Sequence, residues 1–248
     1  IFFIKKQNTS KNDGYNLINY YTAIGGCMFK KYLLAISLLA LSSGTTLAAN
    51  PIAKLKVTGR IKPPTCTINN EEQEATIIYN FDITPGLFPE KGDLKLAGQS
   101  KNIVISCDSS TYLAFVATDN RLGTQSQESE AFFGLGHYQF KNKDDGKNAE
   151  TKVGYYTINI SNATVKKEDG SKFEKAYIKS NNATTSVPNT LIHKQSEYGW
   201  ALPGKTSVAG KSFAADFEVK PVINSQMKKI EGEAELDGLA TLTFQFGI

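Results

Sequence analysis

Apolar and polar residues alternate with a period of two in many short stretches of this chain, whereas amphipathic stretches with a helical period are scarce. Alternation of this kind predicts half-buried β-strands. The predicted strands comprise residues 53–61, 76–79, 103–107, 112–118, 153–160, 212–219 and 240–246. The polar stretch 180–211 is only weakly periodic, and we predict a long loop or an edge hairpin there.

Turn-forming residues separate the predicted strands. Gly, Pro and Asp pairs such as Asp144-Asp145-Gly146, Pro203-Gly204 and Asp237-Gly238 recur between the alternating stretches. Such punctuation marks tight turns, and we interpret Asp144-Asp145-Gly146 as a hairpin turn. Many short strands with this spacing predict an all-β sandwich.

The first 49 residues have a different pattern. From Met28 the chain has a short basic start (Lys30, Lys31), about ten mostly apolar residues and an exit rich in small residues, which is typical of a secretory signal peptide. Thr46 and Ala48 predict cleavage after Ala48, with Ala49 as the alternative. We therefore expect residues 1–27 to be a non-native upstream extension, and residues 28–48 to be the signal peptide.

Removal of this segment changes the charge and the cysteine count. The first 49 residues hold five lysines and one aspartate, so 23 basic and 23 acidic residues remain. A neutral mature chain lacks the basic footprint of a nucleic-acid-binding protein, and none is expected. It also lacks a transmembrane segment. Cys66 and Cys107 remain, and two cysteines in an exported chain predict one disulfide.

The sequence contains no catalytic constellation. It has no HExxH or GxSxG motif, and no free thiol is expected in the mature chain. A calcium loop around Gly146 would place Lys141 and Lys152 where carboxylates are required. We therefore predict no enzyme activity, no catalytic residues, no bound metal and no cofactor.

Other candidate residues have simpler explanations. A lone histidine cannot make a metal site, so we interpret His137 as a strand residue. Trp200 with Tyr198 could form a sugar-stacking platform, but a core position is favoured. Glu128 and Glu130 lie in a polar stretch that is typical of a solvated loop.

Two segments carry apolar faces without an obvious partner. In the segment 49–58, Ala53, Leu55 and Val57 form an apolar face, opposite Lys54, Lys56 and Thr58. Near the other end, the apolar residues are even-numbered: Ala234, Leu236, Ala240, Leu242, Phe244, Phe246 and Ile248. A strand with no successor would leave an open groove. Strand addition between neighbouring copies would fill it and would propagate head to tail into a fibre.

At this point the sequence resembles the chaperone–usher pilin subunits. Residues 57–61 (VTGRI), followed by Cys66-Thr67-Ile68 and by a second cysteine about forty residues later, resemble the start of these subunits. Residues 237–246 (DGLATLTFQF) resemble their end strand. More narrowly, the chain resembles a β-fimbria-type subgroup classed as a domain of unknown function, in the blocks CDSSTYLAF (107–115), DNR (119–121), FGLG (133–136) and KVGYY (152–156).

The resemblance implies an incomplete immunoglobulin-like sandwich over residues 59–248 and a donor strand over residues 49–58. It implies a structural fimbrial subunit that supports adhesion, exported through the periplasm to the surface of a Gram-negative bacterium. The implied partners are neighbouring subunits, a periplasmic chaperone and an outer-membrane usher. Ala53, Leu55 and Val57 would insert beside the groove strand residues Leu242, Phe244 and Phe246.

The sequence departs from the family pattern near its end. Pilins usually have a penultimate aromatic residue with a glycine twelve residues before it, whereas Phe246 is third from the end and Gly232 lies twelve before Phe244. The expected register of the end strand is therefore open by two residues. Asp119-Asn120-Arg121 could form a ligand site, but a turn-stabilising ion pair is favoured. The alternative function is a self-complemented periplasmic or secreted binding module for a glycan.

Overall fold

The computed structural model describes residues 52–72, 74–141, 146–168, 170, 172–204, 206–230 and 232–246. The upstream extension, the signal peptide and residues 49–51 lie outside the described residues. The chain divides into two units, residues 1–57 and residues 58–248. In the first unit, residues 52–57 have no regular secondary structure. The second unit holds all the described strands.

The second unit is nearly all β. Its strands, in chain order, are β1 (Cys66–Ile68), β2 (Leu94–Lys95), β3 (Gln99–Asp119), β4 (Phe133–Gly134), β5 (His137–Lys141), β6 (Asn148–Lys152), β7 (Gly154–Lys166), β8 (Glu174–Lys175), β9 (Tyr177–Ser180), β10 (Asn189–Leu191), β11 (Glu197–Ala201), β12 (Ala209–Ile223) and β13 (Ala240–Phe246). Short 3-10 helices cover Pro85–Leu87 and Ser225–Lys229. No described helix has the length and apolar character needed to cross a membrane.

Strand β3 links two curled antiparallel sheets. Its first part pairs with β1 on one side and β12 on the other, and β12 continues to β7. Its last part pairs with β11 and β13, and β11 continues to β9. The change of partners occurs at the exposed residues Asp108, Ser109 and Ser110, where the β12 register shifts between Gly210 and Ser212. The two strands predicted at 103–107 and 112–118 are therefore one continuous strand.

One hydrophobic core draws side chains from both sheets. Strand β3 contributes Ile105 and Phe115, which are both fully buried. Phe115 contacts Tyr198 and Trp200 on β11 and Phe217 on β12. Burial alternates along β3 and along β12, and this alternation is the physical basis of the period-two pattern in the sequence.

The predicted disulfide is present and joins β1 to β3. Cys66 and Cys107 are direct cross-strand partners, with a Cα–Cα distance of 4.0 Å and a sequence separation of 41 residues. Closing a loop of this length stabilises the folded state by about 4 kcal/mol in the chain-entropy description. The bond holds a three-residue strand that few hydrogen bonds could keep in place alone.

Three sequence predictions differ from the structure. Residues 76–79 belong to no strand in the structure, and neither do the predicted strand residues 53–61. The alternating pattern is present in each, but a strand also requires a hydrogen-bonded neighbour. The prediction of a loop or edge hairpin over 180–211 was wrong, because this stretch contains β10 and β11, and β11 lies between β3 and β9. Trp200 makes β11 a core strand.

The turn prediction at Asp144-Asp145-Gly146 agrees with the pairing around it. Strands β5 and β6 form an antiparallel hairpin, with His137 opposite Lys152 and Lys141 opposite Asn148. Residues 142–145 lie outside the described residues. Gly146 has a positive φ of 66°, which favours glycine.

Candidate functional site

A groove of about 1420 Å³ with both apolar and polar lining residues lies beside β13. Its floor is formed by side chains of the sheet that contains the first part of β3, β12 and β7. They include Ile103, Ile105, Ile158, Phe217 and Val219. These floor residues belong to β3, β7 and β12 and are connected to the hydrophobic core. The groove is therefore a continuation of the core to the surface.

Strand β13 forms one wall of the groove. Its even-numbered residues Leu242, Phe244 and Phe246 line the groove and are half-buried, whereas Thr241, Thr243 and Gln245 are exposed. Among the described residues, β13 pairs with β3 alone, from Ala240 opposite Asp119 to Phe246 opposite Leu113. The structure therefore places all three predicted groove residues on one face, beside a strand edge that carries unpaired backbone groups.

The second wall is an extended segment, residues 74–83, which we name the strap. Its odd-numbered residues are half-buried and its even-numbered residues are exposed, from Glu74 to Ile83. The strap is anchored by side chains: the Tyr79 hydroxyl donates to the Phe217 carbonyl at 2.8 Å, and the Gln99 amide donates to the Asn80 carbonyl. No backbone–backbone hydrogen bond to the strap occurs within the described part of the chain. The strap thus shows the alternating burial of a β-strand but lacks, among the described residues, the backbone hydrogen bonds of a sheet.

Burial of Tyr79 against the groove floor changes its acidity. Desolvation raises the pKa of Tyr79 to about 12, because the apolar surroundings disfavour the phenolate. The neutral phenol is the form that donates to Phe217. The strap contact is therefore maintained across the ordinary pH range.

Among the described residues, the lining of the groove carries charges of one sign. It includes five carboxylates and no described lysine, arginine or histidine, the acidic residues being Glu71, Glu72, Glu74, Asp82 and Glu235. None of the five forms an ion pair with another described residue. Glu74 and Asp82 lie on the exposed face of the strap, eight residues apart. The groove therefore combines an apolar floor with an acidic rim.

The residues leading into β13 are held to the end of β3 by a polar cluster. Arg121 donates from Nε and Nη2 to the two carboxylate oxygens of Asp237, each at 2.7 Å. The pKa of Arg121 is raised, chiefly by the hydrogen bond to Asp237. The Thr241 hydroxyl donates to the Asn120 side-chain oxygen at 2.9 Å. These contacts fix the start of the groove wall.

Asp119 organises the turn below this cluster. Its carboxylate accepts from the backbone N–H of Arg121 at 2.9 Å and of Gly134 at 3.0 Å. A Cβ at Gly134 would collide with the Thr124 hydroxyl and the Arg121 carbonyl, so this position requires glycine. The predicted ion pair within the turn was wrong: Arg121 pairs with Asp237, 116 residues further along the chain, whereas Asp119 accepts from backbone N–H groups.

The predicted donor residues can be described only within their own unit. Leu55 and Val57 are 95% and 97% exposed, and Ala53 is also exposed. No described residue of the segment 52–57 belongs to a strand. Two large aliphatic side chains on one face of an extended segment are therefore exposed to solvent.

The other candidate residues take structural positions. Trp200 is 1% exposed and its indole N–H donates to the Ala214 carbonyl at 3.2 Å, so it is a core residue. Tyr198 is also buried, and burial raises its pKa. His137 is exposed on β5, and His193 faces Glu130, with Nδ1 and Oε2 3.6 Å apart. The Glu128 carboxylate accepts from the Gln125 amide at 3.0 Å.

No group of His, Cys, Asp and Glu side chains within the described ranges could hold a metal ion. Sequence reasoning missed the strap and the acidic rim. Alternation over residues 75–83 was the available signal for the strap, but it extends four residues beyond the stretch that we interpreted. The rim carboxylates come from separate segments, and only the fold brings them to one groove.

No family model matches the chain, and no curated protein matches it.

Proposed function

We propose that this protein is a structural subunit of a bacterial surface fimbria, and that its groove takes a β-strand from a second copy of the same chain. The observation that carries the proposal is the free edge of β13 beside an apolar groove lined by Leu242, Phe244 and Phe246. A groove of this kind favours an added strand, because backbone hydrogen bonds and alternating side chains are then both satisfied.

Under this proposal the fold is an incomplete immunoglobulin-like sandwich. The support is the arrangement of two curled antiparallel sheets around one core, with an opening where a further strand would pair with β13. The groove-facing side chains of Leu242, Phe244 and Phe246 would set the spacing of the positions that receive the side chains of the incoming strand. An incoming strand would place every second side chain into the groove.

The strand donor would be the segment 49–58. Its apolar residues Ala53, Leu55 and Val57 have a spacing of two, as an inserted strand requires, and all three are exposed. Full burial of Leu55 and of Val57 would stabilise the contact by roughly 1.5–3 kcal/mol each. Because donation runs from one copy to the next, the contact is head to tail and propagates into a fibre.

Export and assembly complete the proposal. The Cys66–Cys107 disulfide supports an oxidising compartment, since such bonds persist mainly in exported proteins. A periplasmic chaperone would cover the groove before assembly, and an outer-membrane usher would exchange it for the next subunit. The protein would act through assembly and adhesion and not as an enzyme.

The test is a charged substitution on the apolar face of the donor segment. We expect Leu55→Asp to abolish polymers, because a buried carboxylate without a partner is costly. Thr58→Asn is the control, since it places an uncharged side chain of the same size as Asp on the opposite face. Both proteins are purified from the periplasm of an expression host, and their mass distribution is measured by size exclusion with light scattering.

A mixing experiment sharpens this test. Leu55→Asp chains retain an intact groove, so they should still accept a strand and should shorten wild-type polymers when added in excess. Polymers of Leu55→Asp equal to those of Thr58→Asn would refute the proposal. Wild-type protein that stays monomeric would instead favour the self-complemented binding module.

A further inference from the structure

The charged residues that line the groove bear on which segment can bind there, in addition to its apolar residues. The described lining residues include five carboxylates and no cation, and none of the five forms an ion pair with a described residue. Carboxylates of one sign around a concave, low-dielectric surface focus a negative potential there. An occupant with positive side chains is therefore attracted, and one with negative side chains is repelled.

The sequence supplies a segment with the opposite charge. Residues 52–65 contain four cations and no acidic residue. All four cations occupy even-numbered positions, namely Lys54, Lys56, Arg60 and Lys62. The large apolar residues Leu55, Val57 and Ile61 occupy odd positions, and each is almost fully exposed in its own unit. An extended chain with this pattern has one apolar face and one basic face.

The groove has the matching division. Its floor and the β13 wall are apolar, whereas the exposed face of the strap carries Glu74 and Asp82. A strand that inserts its apolar face must turn its other face outward, toward this rim. Glu74 and Asp82 lie eight residues apart, as do Lys54 and Lys62. In an extended conformation the two spacings would span similar lengths, about 26 Å at 3.3 Å per residue.

Building on the proposed function, we infer that the acidic rim recognises the basic face of residues 54–62 from a second copy, and that this charge pairing sets the rate and the partner selectivity of assembly. The apolar contacts hold the strand once it is inserted. Exposed charge pairs contribute little to final stability but increase the rate of encounter. The charge pairing therefore acts mainly on association, and the apolar face acts on dissociation.

The first measurement needs no variant. The assembly rate of the wild-type protein is followed by light scattering at increasing NaCl concentration. At physiological ionic strength the screening length is about 8 Å, and it shortens further as salt is added. We expect the rate to fall about tenfold between roughly 20 mM and 500 mM NaCl. A rate that is constant or rises with salt would overturn the inference, because apolar association alone is not weakened by salt.

The second measurement is a charge-reversal cycle in the full chain. We expect Lys54→Glu with Lys62→Glu to slow assembly on the order of tenfold, and Glu74→Lys with Asp82→Lys to slow it by a similar factor. Combining all four substitutions should restore at least half of the loss on a logarithmic scale. Lys91→Glu with Lys172→Glu is the matched control, since both lysines are exposed away from the groove lining and the net charge changes equally.

The outcomes separate this inference from the proposed function. If Leu55→Asp abolishes assembly but the reversals behave like the control pair, the charge recognition is refuted and the strand donation stands. If Leu55→Asp assembles normally, both are refuted. Slowing by each pair of reversals together with recovery in the combination supports the inference, because a general loss of folding would not be reversed by further substitutions.

Discussion

The last part of β3 is covered unequally on its two sides. On one side, β11 pairs with both β3 and β9, and its Tyr198 and Trp200 are buried. On the other side, β13 pairs with β3 alone among the described strands, and its Phe244 remains half-buried. Both aromatic sets contact Phe115. The same alternating pattern thus gives a closed core where a second neighbour is present and an open groove where it is absent.

This difference has a physical consequence. Removing apolar surface from water is favourable by roughly 25 cal/mol per Å². Apolar surface that is still exposed can therefore provide this free energy when a partner covers it. The β11 side has already realised this free energy within the folded chain, whereas the β13 side can still gain it from an added strand. Substitutions on the two sides should therefore differ in their effect on the isolated protein.

The largest effect is expected on the covered side. Trp200→Ala should lower the free energy of unfolding by about 3–5 kcal/mol, because it leaves a cavity in the core. It also removes the indole donor to the Ala214 carbonyl. Urea denaturation measures the change in the isolated protein. A loss below about 1 kcal/mol would show that the β11 side is not the closed region described here.

Loss of the disulfide should have a comparable but smaller effect. We expect Cys66→Ala with Cys107→Ala to lower the free energy of unfolding by about 2–4 kcal/mol, since the unfolded chain loses its closed loop. Cys66 and Ile68 line the groove, so β1 should detach first. Hydrogen exchange of the residues paired with β1, compared with that of β11, measures this. Uniform loss of protection in both regions would contradict a local role.

On the open side, Phe244→Ala should cost about 1–2 kcal/mol in the isolated protein, because a half-buried ring loses only part of the value of a buried one. Thr243→Ala is the matched control on the exposed face of β13, and it should change stability by less than about 0.5 kcal/mol. Denaturant midpoints of both variants are compared with those of Trp200→Ala. Equal losses for Phe244→Ala and Trp200→Ala would remove the difference between the two sides.

The smallest effect concerns the strap. Tyr79→Phe should cost about 1 kcal/mol through loss of the hydrogen bond to Phe217. It should also alter the pH dependence. The folded pKa of Tyr79 is about 12, above its ordinary value of 10.0, so its contribution is complete below pH 10 and is lost as the pH rises through 12.

Denaturant midpoints measured from pH 9 upward test this sign. The wild-type protein should lose stability with rising pH more steeply than Tyr79→Phe. Tyr155, Tyr156 and Tyr198 also have pKa values raised by burial, so a weaker decline should remain in the variant. A decline of the same slope in both proteins would show that Tyr79 is solvated rather than packed on the groove floor.

Local pattern was sufficient for several elements. The stretch 240–246 was predicted with the bounds of β13, and parts of β3, β7 and β12 were predicted from the same alternation. The alternation also predicted that Leu242, Phe244 and Phe246 share one face of the strand, because successive residues of a strand point to opposite faces. The disulfide followed from the cysteine count and the expected export. Each of these features depends on residues that are adjacent in sequence or on a count.

Pairing between distant segments could not be predicted in this way. Trp200 was expected in a core, but its strand was missed because β11 follows a polar stretch and gains its burial from β3 and β9. Residues 76–79 have the alternating sequence of a strand but do not form one, since no described backbone group hydrogen-bonds to the backbone of the strap.

The sequence by itself determined the β character of the chain, the face on which the apolar residues of the predicted strands lie and the opposite charges of its separate segments. Only the tertiary structure decided which edges stay open and which carboxylates meet at one rim. The physical reason is that side-chain direction is set within a few residues, whereas the choice of a hydrogen-bonded neighbour depends on the competition between segments far apart in the chain.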